Sequence, residues 1–182
     1  MRFGNNAGAA PDDTDLRILG LLQEDCRTPL ARLGEQVGLS APAVLERIKK
    51  LEAAGVITGY HAVLDGRRIG LDVTAFIGVI TSEPDSIAHF EREVGAIDDV
   101  LECHHVTGEY TFLLKVKTEN TSTLERLISQ IRAIEGVART ETTVVLSTHS
   151  ERQHLALHRD GTAPPTRRAR RANEGTGQLR RM

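Results

Sequence analysis

Residues 28–60, TPLARLGEQVGLSAPAVLERIKKLEAAGVITGY, constrain the fold more than any other stretch of the chain. Thr28 is placed to cap a helix and Pro29 suits a first helical position. Leu30, Leu33 and Val37 then recur at helical spacing and form one apolar face. Gly38 permits positive φ and a sharp stop, and Leu39 can plug the angle that follows. Ser40 is the next N-cap, with Pro42 in the first turn it caps. The second helix is predicted to bury Val44, Ile48 and Leu51, with Leu45 flanking, and to expose Ala43, Glu46, Arg47, Lys49 and Lys50. Gly55 ends it, and Val56 to Tyr60 has strand character. Two helices, a glycine turn and a following strand read as a winged helix-turn-helix.

A helix-turn-helix places the N-terminal part of its second helix in the DNA major groove. The candidate DNA-contacting residues are therefore Ser40, Ala41 and Ala43 at the tip, with Thr28 at the start of the preceding helix. Arg47 follows one turn on, for a guanine edge or a phosphate. Lys49 and Lys50 suit phosphates. Charge limits what a single copy achieves. Residues 1–66 hold seven basic and nine acidic side chains, a net −2. Non-specific attraction to phosphate is correspondingly small, so binding is expected to need a dimer or larger assembly.

Around this segment the 182 residues divide in order. Residues 1–11 read as disordered. A helix from Asp12 to Asp25, with Leu16, Leu19 and Leu22 on one face and Ile18 beside them, completes a helical domain over 12–62. Residues 63–71, with Gly66 and Gly70, form a linker. Val73 to Thr81 is a β-branched-rich strand, Pro84 to Val94 a helix, and Val100 to Val106 a strand. Thr107-Gly108-Glu109 is a turn and Tyr110 to Val116 a strand. Thr123 to Ile134 is a helix that Gly136 ends, and Val137 to Leu146 a last strand. The order βαββαβ over 72–150 reads as a ferredoxin-like sandwich, so the class is α+β. Two helices cover one sheet face, and the other face is expected to need a second chain. Residues 151–182 read as a disordered basic tail. Within it, residues 159–182 carry seven arginines against Asp160 and Glu174, and the run RRARR (167–171) is a possible phosphate contact.

These pieces resemble the Lrp/AsnC family, the feast/famine transcription regulators. The carrying residues are DDTDLRIL (12–19), VGLS (37–40), ERIKKLE (46–52), GVITGYHA (55–62), VLECHHVTGEY (100–110), LLKV (113–116) and GVARTET (136–142). The resemblance implies an N-terminal winged helix-turn-helix that binds double-stranded DNA. It also implies a C-terminal ferredoxin-like (RAM/ACT-like) domain that binds an effector and dimerises, the dimers often assembling into octamers. An amino acid commonly binds near the turn joining the second and third strands. By resemblance the effector site maps to Thr107, Gly108, Glu109, Tyr110 and Thr111, with Thr140 and Thr142 on the last strand. Backbone N–H groups at the glycine turn suit a carboxylate, and hydroxyls or Glu109 suit an ammonium. Where the family often has an aspartate after the turn tyrosine, this chain has Thr111.

Other chemistry finds less support. Cys103 and His105 share one face of a strand and His104 points away, so Cys103-His104-His105 does not make a metal site. Cys26 and Cys103 give no disulfide framework. There is no phosphate-binding glycine loop and no nucleophile elbow, and neither metal nor cofactor is expected. The N-terminus lacks the apolar core of a signal peptide and no stretch is long enough to span a membrane, so a cytoplasmic chain is expected. The alternatives are an enzyme on the same architecture, such as a sirohaem decarboxylase, and a small-molecule sensor without DNA binding.

Overall fold

The computed structural model describes residues 10–82 and 86–157. The chain forms two compact units: residues 10–61 joined by 152–157, and residues 62–151.

The first unit is helical. Helix α1 (Asp13–Glu24) starts where Asp12 and Asp15 cap each other: the Asp15 amide donates to the Asp12 carboxylate at 2.8 Å and the Asp12 amide to that of Asp15 at 3.0 Å. Helix α2 (Leu30–Val37) and helix α3 (Ala41–Ala53) follow. The core gathers Ile18, Leu33, Val44 and Ile48, with Leu21, Leu22, Leu30, Val37, Leu39 and Ile57 packed against it. On α1 the core-packing stripe is thus buried Ile18 with half-buried Leu21 and Leu22, and the expected Leu16–Leu19–Leu22 stripe contributes only its last member to that core. Strict three-residue spacing falls short of the 3.6-residue turn and drifts off the face, whereas 18, 21, 22 stays on it.

Two local expectations need correction. Thr28 does not cap α2; Pro29 takes the cap position (φ −59°, ψ 143°) and offers no side-chain acceptor. Proline pushes its predecessor out of the helical region, and the Thr28 amide instead closes a turn onto the Asp25 carbonyl at 3.2 Å. Val56 to Tyr60 forms no strand. After Gly55 (φ 70°) the amides of Val56 and Ile57 both turn back to the Leu51 carbonyl, at 2.9 and 3.2 Å. Ile57 packs into the helical core, and every strand among the described residues lies in the second unit, so a wing strand has no partner here. The domain is a helix-turn-helix without a wing strand. The turn itself is as read: Gly38 is left-handed (φ 74°), and the Ser40 hydroxyl accepts the Ala43 amide at 3.4 Å.

The second unit opens with a 3-10 turn (Gly66–Ile69) capped by Asp65, so the expected linker is structured. Then come β1 (Val73–Thr81), α4 (Ile87–Val94), β2 (Val100–His105), β3 (Phe112–Thr118), α5 (Thr121–Arg132) and β4 (Val137–Val144). The sheet order is β2-β3-β1-β4, antiparallel throughout, the ferredoxin-like arrangement. Helix α5 begins earlier than Thr123 because Asn120 caps it, its side-chain Oδ1 accepting the amides of Ser122 and Thr123 at 2.9 and 3.0 Å. It ends at Arg132. Strand β3 begins at Phe112, leaving Tyr110 in the turn. Residues 83–85, at the expected start of α4, lie outside the described residues.

The helices cover one face. Ala75, Ile77 and Val79 of β1 and Phe112, Leu114 and Val116 of β3 are buried against Phe90, Val94, Leu124, Leu127 and Ile131. Phe90 and Phe112 stack at 4.7 Å between ring centroids. The other face is mixed rather than apolar: Phe76, Leu113 and Ile80 alternate with ion pairs. Lys115 bonds Glu102 at 3.2 Å and also Glu151, and Arg139 bonds Glu141 at 3.1 Å. The expected disordered tail begins with specific contacts: within the first unit, the Gln23 amide accepts from the Leu155 N–H (2.7 Å) and donates to its carbonyl (3.2 Å). The RRARR run at 167–171 lies outside the described residues. No helix among them is long and apolar enough to cross a membrane.

Candidate functional site

The outer surface of α3 follows from its buried one. Val44, Ile48 and Leu51 face the core, so Pro42, Glu46, Lys49 and Ala53, spaced by four, three and four, point away from it. Leu45 and Lys50 flank this stripe and are exposed; Ala41 and Ala43 are half-buried. Lys50 pairs with Glu46 at 2.9 Å. Ser40 is engaged as the helix cap. Glu46 is exposed as expected, and Pro42 and Leu45, which were not named in the expected contact set, share this outer surface.

Arg47 lies elsewhere. Its guanidinium donates to the Asp12 carboxylate at 2.8 Å and to that of Asp15 at 2.7 Å, and the side chain is only 33% exposed. Arg17 on α1 likewise donates to the Gln36 carbonyl at 2.5 Å. These two clips fix α1 against α3 and α2. The expectation that Arg47 projects freely toward a base or phosphate is therefore corrected: two carboxylates on α1 hold it. The Asp15 amide, and then Arg47, hold the Asp12 carboxyl below its ordinary pKa. A depressed folded-state pKa gives stability that is full above the ordinary aspartate value of about 4 and is lost as pH falls through the lowered one. Arg47→Ala is thus expected to lower the melting temperature and weaken DNA binding through a loosened α3. Lys49→Ala leaves the melt unchanged, lowers affinity and reduces the salt slope by about one. In Asp12→Asn the acid limb below pH ~4 flattens. Calorimetry across pH with salt-dependent anisotropy checks all three; a wild-type melt for Arg47→Ala would return that side chain to the reading face.

In the second unit, the turn between β2 and β3 is fastened at its C-terminal end. The Thr111 amide donates to the Val79 carbonyl at 2.8 Å, and the Val106 amide to the Thr111 carbonyl at 3.0 Å. The Thr111 hydroxyl oxygen accepts from the amide and hydroxyl of Thr81, both at 3.2 Å. Where an aspartate would carry charge, Thr111 ties the turn to β1. Gly108 has φ 117°, which side chains rarely adopt. Tyr110 lies over Gly78: a Cβ built there falls 2.6–2.7 Å from the Tyr110 ring. In register, Gly78 faces Leu113 on one side and Glu141 on the other. Loss of solvation, then the carboxylates of Glu141 and Glu109, push the Tyr110 phenol above its ordinary pKa.

Thr107 to Thr111 are therefore together on one turn, and Thr140 and Thr142 lie on β4, across β1 from it. These two pair with Val79 and Ile77, on the helix-covered face; Thr140 is buried and accepts from Arg132 Nε at 2.7 Å. The β4 residues on the open face, beside Tyr110, are Arg139 and Glu141. Strand alternation within β4 carries that distinction, but only once the register against β1 is known. Cys103 and His105 share the helix-side face, with His105 against Phe112 at 5.1 Å, while His104 bonds Glu102 at 3.1 Å on the other. The described residues contain no group of three side chains placed to hold a metal ion.

Comparison with known proteins identifies both units. The family model described as the AsnC-type helix-turn-helix domain matches residues 12–52, and that of the Lrp/AsnC ligand binding domain matches residues 74–155. An uncharacterized HTH-type transcriptional regulator of Bacillus subtilis is 43% identical over 139 residues, covering 76% of this chain and 96% of its own. A transcriptional regulator of Neisseria meningitidis, solved as an L-methionine complex, superposes with TM-score 0.76 at 30% identity, covering 81% of this chain and 97% of its own. A feast or famine regulatory protein of Mycobacterium tuberculosis complexed with L-methionine gives TM-score 0.75 at 33% identity, covering 81% and 100%. The chain belongs to the Lrp/AsnC family, and it is a DNA-binding transcriptional regulator, not an enzyme.

Proposed function

We propose that this regulator works in the cytoplasm as a homodimer or larger assembly whose DNA binding is set by a free amino acid held at the turn 107–111. The observation that carries the reading is Tyr110 laid across Gly78, with the left-handed Gly108 beside it and the carboxylates of Glu109 and Glu141 close by. An α-amino acid presents an ammonium and a carboxylate on one carbon. Glu109 and Glu141 suit the ammonium, and the amides around Gly108 suit the carboxylate. Thr107 and Thr111 complete the turn, and Thr140 and Thr142 support β4 from its covered side. The α3 contacts to DNA are assigned to Ser40, Ala41 and Lys49 with Lys50 on a phosphate; Ala43 and Thr28 flank them. Exposed Phe76, and the ion-paired face around it, suit a second copy. Net charge of −2 over residues 1–66 also favours two recognition helices on one duplex. Coupling follows if the amino acid is bound more tightly in one assembly than another.

L-Methionine is the first effector to test, because two structural neighbours hold it. Fluorescence anisotropy with the DNA upstream of the protein's own gene, at fixed salt and with competitor DNA, is expected to give saturable binding. One of the twenty amino acids is expected to shift it about fivefold or more, as typical for coupled sites. Saturable binding indifferent to all twenty would remove the effector from this account.

A further inference from the structure

We infer that Glu46 reads the operator, as an acceptor for the exocyclic amino group of a cytosine in each half-site. The inference rests on the reading that α3 lies in the major groove. Among the exposed residues on the outward stripe of α3, Pro42 has no side-chain hydrogen-bonding group, and Glu46 precedes Lys49. The N-terminal part of a recognition helix is the part that reaches base edges. Arg47, the donor nearest in sequence, is held by Asp12 and Asp15, and Ser40 is spent as a cap. This leaves Glu46, paired with the exposed Lys50 rather than held against another helix, as the foremost polar side chain able to face a base.

Its charge sharpens the argument. A carboxylate entering the groove is repelled by every phosphate near it, whatever the sequence. Only a base edge with a hydrogen-bond donor offsets that cost, and the cytosine N4 amino group is the donor that a carboxylate accepts from in the major groove. A wrong base leaves the charge unpaired, so the penalty at that position exceeds the loss of one contact. Lys50, at 2.9 Å from the Glu46 carboxylate, steadies the side chain, and exposed Leu45 is placed for a neighbouring thymine methyl.

The test is selection of full-length protein on a randomised duplex library, followed by anisotropy titration of the enriched site and its single-base variants at one salt concentration. Each half-site is expected to hold a cytosine whose replacement lowers affinity roughly tenfold. Glu46→Gln is expected to erase that preference or move it to adenine, whose N6 and N7 a glutamine amide matches. Lys50→Ala is expected to weaken all sites and to soften the cytosine preference without moving it to another base. Enrichment of the same motif with the same base ranking by Glu46→Gln would overturn the inference and leave DNA binding by α3 intact. Failure of folded wild-type protein to enrich any sequence would overturn the groove reading, and this inference with it.

Discussion

Gly34→Val is expected to unfold the helix-turn-helix unit and abolish DNA binding, while Gly20→Ala stabilises the same unit. Both glycines lie inside helices, where glycine costs roughly 1 kcal/mol relative to alanine, so composition alone gives both positions the same sign. Their surroundings differ. A Cβ at Gly20 meets nothing within 4 Å. Gly20→Ala therefore removes backbone freedom from the unfolded chain without a clash and gains about 0.5–1 kcal/mol. A Cβ at Gly34 would be driven into the carbonyl oxygen of Leu39, with the Leu39 and Ser40 carbonyl carbons at 3.4 and 3.5 Å behind it. That oxygen belongs to the turn, not to a flexible side chain. The Gly34 carbonyl also receives the amides of Gly38 and Leu39, so moving the turn away breaks the contacts that close it. Overpacking typically costs 1–3 kcal/mol. A branched side chain meeting fixed backbone belongs at or above the upper end, about 3 kcal/mol. Circular dichroism of the full chain on heating, with anisotropy on the operator, measures both variants. A Gly34→Val protein that melts and binds like wild type would show that the approach of α2 to the turn is slack.

Most of the architecture was legible because its determinants are local. Caps, glycine turns and the periods of the apolar residues name α2, α3, α5 and the four strands to within a few residues. What escaped depended on distant partners. Val56 to Tyr60 has the composition of a strand, but its amides turn back to Leu51 and no neighbouring strand meets it. Arg47 looks like a free recognition arginine until Asp12 and Asp15, more than thirty residues earlier, close on it. Thr140 and Thr142 look adjacent to the effector turn until the β1–β4 register assigns them to the covered face and brings Glu141 beside Gly78 instead. Gly78 itself carries no sequence signal of a role, since an isolated glycine in a strand marks a close approach without saying of what.

The second large effect concerns that approach. Gly78→Val is expected to leave the second unit folded and to lower amino-acid affinity at least tenfold. Valine raises strand propensity at the centre of β1, and the buried side of the strand, Ile77 and Val79, is untouched. The added Cβ would fall 2.6–2.7 Å from Cδ1, Cε1 and Cγ of Tyr110. Because Cγ is among them, the root of the side chain is blocked as well as its tip. Rotation about the ring cannot relieve the clash; the turn must lift or the ring must swing off the sheet. Either movement separates Tyr110 from Glu141 and disturbs the amides around Gly108, the groups assigned to the ammonium and carboxylate. The chain has no tryptophan and two tyrosines. In a Tyr60→Phe background, Tyr110 is therefore the only intrinsic emitter of its kind. Titrating L-methionine, or whichever amino acid shifts operator binding, is expected to change that emission in the background protein and to leave it nearly flat after Gly78→Val. Unaltered affinity in the variant would place the effector away from Tyr110. Retained operator binding with lost amino-acid response would instead separate the two functions, DNA reading in the helical unit and effector sensing at a glycine in the sheet.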